Sequence, residues 1–484
     1  MVFNSLLFTF AFLPFIVVVY YLLKKEKLQN IFLFLISLVI YFYGAKKLTI
    51  YLIISILVNY VIGLLIGRNK KYKGLFLLLG LLWNFGLLFY FKYYNFTITN
   101  INALLSKNYL IKNIAAPLGI SFFTFRCVSY IVEVYWGNCG AQKNIVNLGL
   151  YISFFPQVLS GPITTYPDFE NNLSNRKIDI DKVVLGIKKF VIGLFKKMAI
   201  ADCVSMSVDN IFAMDAASRT ALLSWFGIFA YFIQLYFDFS GYSDMAIGVC
   251  NMLGFDCPEN FNYPYISNTA TEYWQRWHIT LGTWLKTYIY TPVIRLLCNH
   301  SMKVKNAYFI ATLCVWLFAG IWHGAAWNYL LYGLYYFLFC VIEHLVIDFQ
   351  KKRRKKLGIK KKDNKYINAL LHLYFIVVLI FGQLIFRSSS VSDFNNYVKN
   401  LFDFKNLFYL NRASLYIIKQ NIVVFIIALP LCLPIKEYIS NKILNKLGEK
   451  GFNICSLLFY GVLMFIDFVF LFGSNASSFI YFNF

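Results

Sequence analysis

Long apolar runs, separated by short blocks of Lys and Arg, leave this chain few folds to choose from. Residues 48–66, 74–91, 327–346 and 454–472 are four such runs. At about 1.5 Å per helical residue each comes close to or reaches the thickness of a hydrocarbon core of about 30 Å. Inside lipid every backbone amide must be satisfied within the protein, so only helices and closed barrels cross. A barrel would show alternating segments of about 10 residues, and these runs do not alternate. The chain is therefore expected to be an all-α polytopic membrane protein. Its composition agrees: 59% of residues are hydrophobic, 20% aromatic and only 14% charged, with a mean hydropathy of +0.60.

The formal net charge of +24 does not imply nucleic acid. No basic-aromatic nucleic-acid module is recognisable, and Lys and Arg gather in the cytoplasmic loops of membrane proteins. The first run, 6–23, has no Lys or Arg before it and Lys24, Lys25 and Lys27 after it. That is the reverse of a cleaved signal peptide and predicts a first span with its N-terminus outside. The blocks at 68–73, 351–362 and 442–450 then mark inner loops, and 95–112 reads as a polar connection. The count comes to eleven or twelve spans in one membrane domain, divided into N-terminal spans (1–115), a motif-bearing core (116–346) and C-terminal spans (347–484). The ten cysteines are scattered, with no CxxC pair and no zinc-like spacing, so neither disulfides nor a metal site is expected.

Polar residues within the apolar background carry the functional signal, because they are costly there without a partner or a task. Arg126 and Glu133 are seven apart and share a helix face, which allows an internal pair. The segment 155–162 (FPQVLSGP) breaks an apolar run, and Lys188, Lys189, Lys196 and Lys197 suggest an amphipathic element at the interface. Asp238, Tyr242 and Asp244 stand in YFDFSGYSD, and Asn260 in PENFNYPY. Residues 270–297 are Trp-rich and too charged to span, so they read as helices lying in or dipping into one face. Trp274, Arg276, Trp277 and His278 lie there, and Trp322 and His323 follow between two spans. Among five histidines, His278 and His323 have the most unusual settings; His300, His344 and His372 read as loop or span-end residues. Each of these two has a plain structural reading as a hydrogen-bonded core imidazole. Asp238 and Asp244 equally suit holding helices together, and Arg276, Lys286 and Arg295 suit either phosphates or lipid headgroups.

Seven motifs occur in order: PLGISFFTF (117–125), FPQ…SGP (155–162), YFDFSGYSDMAIG (236–248), PENFNYPY (258–265), WQRWHIT (274–280), WHG (322–324) and the closing FIYFNF (479–484). Together they resemble the membrane-bound O-acyltransferase family, in its bacterial alginate O-acetyltransferase-like branch, over nearly the whole chain. The resemblance implies a ring of transmembrane helices with re-entrant helices around a central tunnel, in a bacterial cell membrane. It maps the family's catalytic histidine to His323 and a second required histidine to His278. Gln275, Lys286 and Asn483 depart from the family's commoner residues.

The chemistry fits these residues. A hydroxyl is a poor nucleophile at neutral pH, and a histidine within reach can take its proton as it attacks a thioester. His323 is assigned that role; His278 would orient the donor or stabilise the oxyanion. The implied reaction moves an acetyl group from cytosolic acetyl-CoA, a donor substrate rather than a bound cofactor, toward an extracellular or cell-wall polysaccharide. The immediate acceptor is either the polysaccharide or a Ser or Tyr on an extracytoplasmic esterase-like partner. Two alternatives stay open: D-alanyl transfer to teichoic acids by the same fold, and a transporter or flippase of an acylated lipid or glycan. Against the last, the sequence shows no repeated halves with paired broken helices.

Overall fold

The computed structural model describes residues 3–174, 176, 179–357, 364–403, 412–473 and 479. Among these, helices carry the fold, and an isolated antiparallel bridge between Phe261 and Trp277 is the sole extended pairing. Eight helical stretches among the described residues are long and apolar enough to cross a membrane. One of them, Glu26–Arg68, holds two successive 20-residue helices joined by a single tight turn. Other apolar runs form shorter helices: Phe8–Leu22, Ile120–Trp136 and Ile145–Ser153. Lys360, Lys361, Lys362 and the closing residues 480–484, Asn483 among them, lie outside the described residues.

The chain divides into two compact units built from interleaved segments. The first comprises Met1–Met198, Phe239–Glu259 and Tyr460–Phe484. Its helix Ile120–Trp136 is buried on nearly every side. Arg126 is enclosed there, yet its partner is not Glu133. Its guanidinium donates to the Gln157 carboxamide and lies over the Tyr151 ring at 4.6 Å, while Glu133 accepts from Asn138 at 2.7 Å. A neutral acceptor and an aromatic face hold this cation in place of a carboxylate. The break after Ser153 is buried, and its freed groups find partners inside the protein. The Phe155 amide donates to Ser37 Oγ at 3.1 Å and the Gln157 backbone amide to the Phe154 carbonyl at 2.9 Å, while the Gln157 side-chain carboxamide donates to Thr164 Oγ1 at 2.8 Å.

Two expected loops are helical. Tyr94–Leu105 forms a helix within the polar connection, because its Asn side chains serve the backbone. Asn95 and Asn102 each bracket a later residue through a reciprocal pair of bonds, to Lys112 and Tyr109. The basic stretch 442–450 is helical on both sides of a kink at Gly448 (φ 67°, ψ −178°), which divides Ile435–Gly473 into two helices. Its Lys, Leu and Glu residues are good helix formers, and a glycine at positive φ costs little.

Helix Ala221–Met252 passes straight through the YFDFSGYSDMAIG motif, giving residues 221–238 to the second unit and 239–252 to the first. Within the first unit it lies antiparallel to Ile180–Phe195, at a separation set by two glycine pairs. A Cβ on Gly193 would sit 2.6 Å from the Gly241 carbonyl oxygen, and one on Gly186 would sit 2.6 Å from that of Gly248. The seven-residue spacing on both helices makes two turns of backbone touch. Close approach brings Lys196 to Asp244 (2.6 Å) and Lys189 to Asp244 (3.6 Å) and Glu259. Lys189 and Lys196, expected at an interface, thus hold packed helices together. Gly193→Ala is expected to lower stability by about 1–3 kcal/mol through overpacking. Gly86→Ala, where nothing lies within 4 Å, should be close to neutral. Thermal unfolding of the two variants in the same detergent checks the difference.

Candidate active site

The second unit comprises Ala199–Asp238 and Asn260–Phe459, and it contains eight of the ten residues singled out in the sequence. A helical hairpin carries His323. Helix Val304–His323 ends at that residue, and helix Trp327–Leu357 starts four residues later. The turn is tight because three glycines admit the opposite chain. A Cβ on Gly324 would strike the Tyr329 ring at 2.2 Å, one on Gly320 the Tyr329 carbonyl at 2.6 Å, and one on Gly333 the Trp316 carbonyl at 2.3 Å. The glycine of the WHG motif is therefore a requirement of close packing. His323 itself is buried among Tyr332 (5.7 Å between ring centroids), Phe386 (5.1 Å) and Tyr329 (6.4 Å). Standing at the C-terminal end of a 20-residue helix, it faces the negative pole of the helix dipole, which favours positive charge there.

His278 arrives on the Trp-rich segment, which is a series of short helices: Ala270–Arg276, Ile279–Leu285 and Thr291–Asn299. It lies between the first two with a left-handed backbone (φ 47°, ψ 51°), a conformation uncommon for any residue but Gly or Asn. A short clip to residues 260–262 holds it there. The Asn262 amide donates to the Arg276 carbonyl at 2.9 Å, and the Ile279 amide to the Asn260 carbonyl at 3.0 Å. The Asn260 side-chain oxygen lies 3.1 Å from His278 Nδ1 and accepts from the Thr280 amide (3.2 Å) and the Thr280 hydroxyl (2.9 Å). Burial pushes the His278 imidazole well below its usual pKa, and the nearby His323 acts in the same direction.

The two histidines share one neighbour. The Trp322 ring lies 5.9 Å from His278 and 4.8 Å from His323 by centroids, so residues 45 apart in sequence flank a single indole. Trp274 packs edge-on against Trp316 (5.1 Å) and Tyr336 (5.0 Å), and Trp277 against Phe261 (5.0 Å). Arg276 is held locally, by Glu272 at 3.0 Å and the Asn262 carbonyl at 3.2 Å. Asp238 is buried in this unit. Tyr242 and Asp244 belong to the other unit, where Tyr242 stacks on Phe3 (5.2 Å) and Asp244 takes its lysines. The remaining histidines have local settings. His300 Nδ1 meets the Leu296 carbonyl, His372 Nδ1 meets that of Ser267, and His344 stacks on Tyr308.

The sequence reading missed Glu343. This buried carboxylate, in the middle of helix Trp327–Leu357, accepts from the Ala270 amide (2.7 Å), the Thr271 amide (2.9 Å), the Thr271 hydroxyl (2.6 Å) and the Tyr374 hydroxyl (3.2 Å). It closes the N-terminus of the helix that leads to His278, where orphan amides and the helix dipole both call for an anion. The available signal was a single acid in an apolar run, which is a site hypothesis by default.

The family described as "MBOAT, membrane-bound O-acyltransferase family" matches residues 140–392. A probable alginate O-acetylase of Pseudomonas syringae pv. tomato is 36% identical over 425 residues, covering 86% of this chain and 78% of its own length. The peptidoglycan O-acetyltransferase of Helicobacter pylori is 32% identical over 537 residues, covering 100% of this chain and 98% of its own. The teichoic acid D-alanyltransferase of Bacillus subtilis is 32% identical over 235 residues, covering 46% and 58%.

Glu343→Ala is expected to orphan two buried amides at about 1–3 kcal/mol each. Glu343→Gln keeps one acceptor oxygen and should cost less. Thermal unfolding checks this order, which fails if both variants match the parent.

Proposed function

Since the chain belongs to the membrane-bound O-acyltransferase family, and is accordingly a multi-pass membrane O-acyltransferase, we propose that it moves an acetyl group from cytosolic acetyl-CoA across the membrane to an extracellular or cell-wall polysaccharide. One observation carries the reading: His278 and His323 flank the same buried indole within one unit. In this scheme His323 is the general base. It takes the proton of the acceptor hydroxyl as the oxygen attacks the thioester carbonyl. The tetrahedral intermediate then expels the coenzyme A thiolate, and the proton passes from His323 to that sulfur. The position of His323 at a helix C-terminus supports this role, because the imidazolium formed in mid-reaction meets the negative end of the dipole. His278 holds the substrate beside it.

The acceptor is the polysaccharide itself or a Ser or Tyr on an extracytoplasmic esterase-like partner, and the N-terminus faces outward. Acetyl cargo is favoured over D-alanyl by coverage. The O-acetylating relatives align along 86–100% of this chain, and the D-alanyl relative along 46%. Purified protein in liposomes with labelled acetyl-CoA is expected to label an added polysaccharide or partner domain. His323→Ala should cut transfer by about 10²–10⁴-fold, the usual contribution of a general base. Near-normal turnover in that variant would remove His323 from the role, and D-alanyl transfer without acetyl transfer would change the cargo.

A further inference from the structure

A neutral imidazole has one N–H and one lone pair, and the partner of one nitrogen decides what the other can do. At His278 that partner can be read from its neighbours. The Asn260 side-chain atom facing Nδ1 also receives the Thr280 backbone amide at 3.2 Å and the Thr280 hydroxyl at 2.9 Å. A backbone N–H can only donate, so that atom is the carboxamide oxygen and not its nitrogen. The oxygen can only accept, so Nδ1 must be the protonated nitrogen. This choice is not left to side-chain rotation. Asn260 is buried, and its own backbone is clipped to the same segment through its carbonyl and the Ile279 amide.

We propose that Asn260 is a positioning residue that locks His278 as the Nδ1–H tautomer, so that His278 presents a lone pair at Nε2 to the substrate. It therefore receives a hydrogen bond, and the donor class that it fits is a second substrate hydroxyl, such as one next to the attacking oxygen on a sugar ring, because the single proton of the attacking hydroxyl goes to His323. An oxyanion requires a donor, so stabilisation of the tetrahedral oxygen is not the task of neutral His278. The depressed basicity of the buried ring agrees, because the neutral form is the one that accepts. The inference rests on the O-acyltransferase reading for the identity of the hydroxyl, whereas the tautomer can be tested without turnover.

The direct test is nitrogen NMR on ¹⁵N-histidine protein in lipid nanodiscs, with the His278 signal assigned by its loss in His278→Asn. Asparagine tolerates the left-handed backbone at that position. The expected spectrum has a pyrrole-type Nδ1 and a pyridine-type Nε2 at neutral pH, and Asn260→Ala should move population to the opposite tautomer. A pyridine-type Nδ1 in the parent overturns the proposal whatever the activity. The second arm is acetyl transfer. Asn260→Ala should lower kcat at least about tenfold with KM within about twofold, as a wrong tautomer does in other enzymes. Asn260→Asp keeps acceptor oxygens for Thr280 and so keeps the fold. Its negative charge beside Nδ1–H favours the imidazolium, so the acid limb of kcat should move to higher pH by about one unit or more. An unmoved pH profile in this variant, with an active parent, overturns the catalytic part. If the parent has the expected tautomer but transfers no acyl group, the proposed function fails and the Asn260 assignment stands.

Discussion

The carboxylate of Glu343 is the interaction on which the site depends. A short helix inside a largely apolar unit has orphan amides at its start, and no solvent need be near to satisfy them. Glu343 supplies one anion to two amides and a hydroxyl of residues 270–271. His372 fixes the segment just before, by meeting the Ser267 carbonyl at 2.9 Å. Both come from long helices, Trp327–Leu357 and Lys365–Arg387. The far end of the segment is fixed by the clip to residues 260–262, which sets the strained backbone at His278. An apolar scaffold therefore aims the histidine through a few polar bonds at either end of a 7-residue helix.

How much of this was legible follows from the kind of signal each feature leaves. A membrane span is announced by composition over about 20 residues, so the runs 48–66 and 74–91 lie within a few residues of the helices Thr49–Arg68 and Lys73–Leu88. His323 was legible because a titratable group between two spans is anomalous. The reciprocal glycines were harder. Gly186 and Gly193 share a seven-residue spacing with Gly241 and Gly248, but only the pairing of the two helices gives the spacing meaning. Arg126 misled for a related reason. Helix periodicity names which residues share a face, and Glu133 did; it cannot say that Gln157 and Tyr151, from another segment, reach the guanidinium first.

The pair of histidines shows the same limit in its sharpest form. Their sequence settings gave both rarity, His278 in a Trp-rich and partly charged segment and His323 between two apolar spans. The fold separates them by position. His323 ends a 20-residue helix, and His278 lies between the end of Ala270–Arg276 and the start of Ile279–Leu285. Burial lowers the basicity of His278, and the proximity of His323 lowers it further. In the proposed scheme the proton passes to His323, and His278 stays neutral beside it.

The proposed division also accounts for the different surroundings of the two rings. A group that gains and loses charge is served by a helix end, whose dipole responds without moving, and by aromatic walls that keep competing donors away; His323 has Tyr332, Phe386 and Tyr329 around it. A group that must keep one protonation state is served by a fixed acceptor, and His278 has Asn260. An aspartate at 260 would satisfy the same three donors but would pull a proton onto the ring, and so collapse the difference between the two histidines. The neutral amide is the side chain that orients the imidazole without charging it, which is what a hydrogen-bond acceptor beside a general base requires.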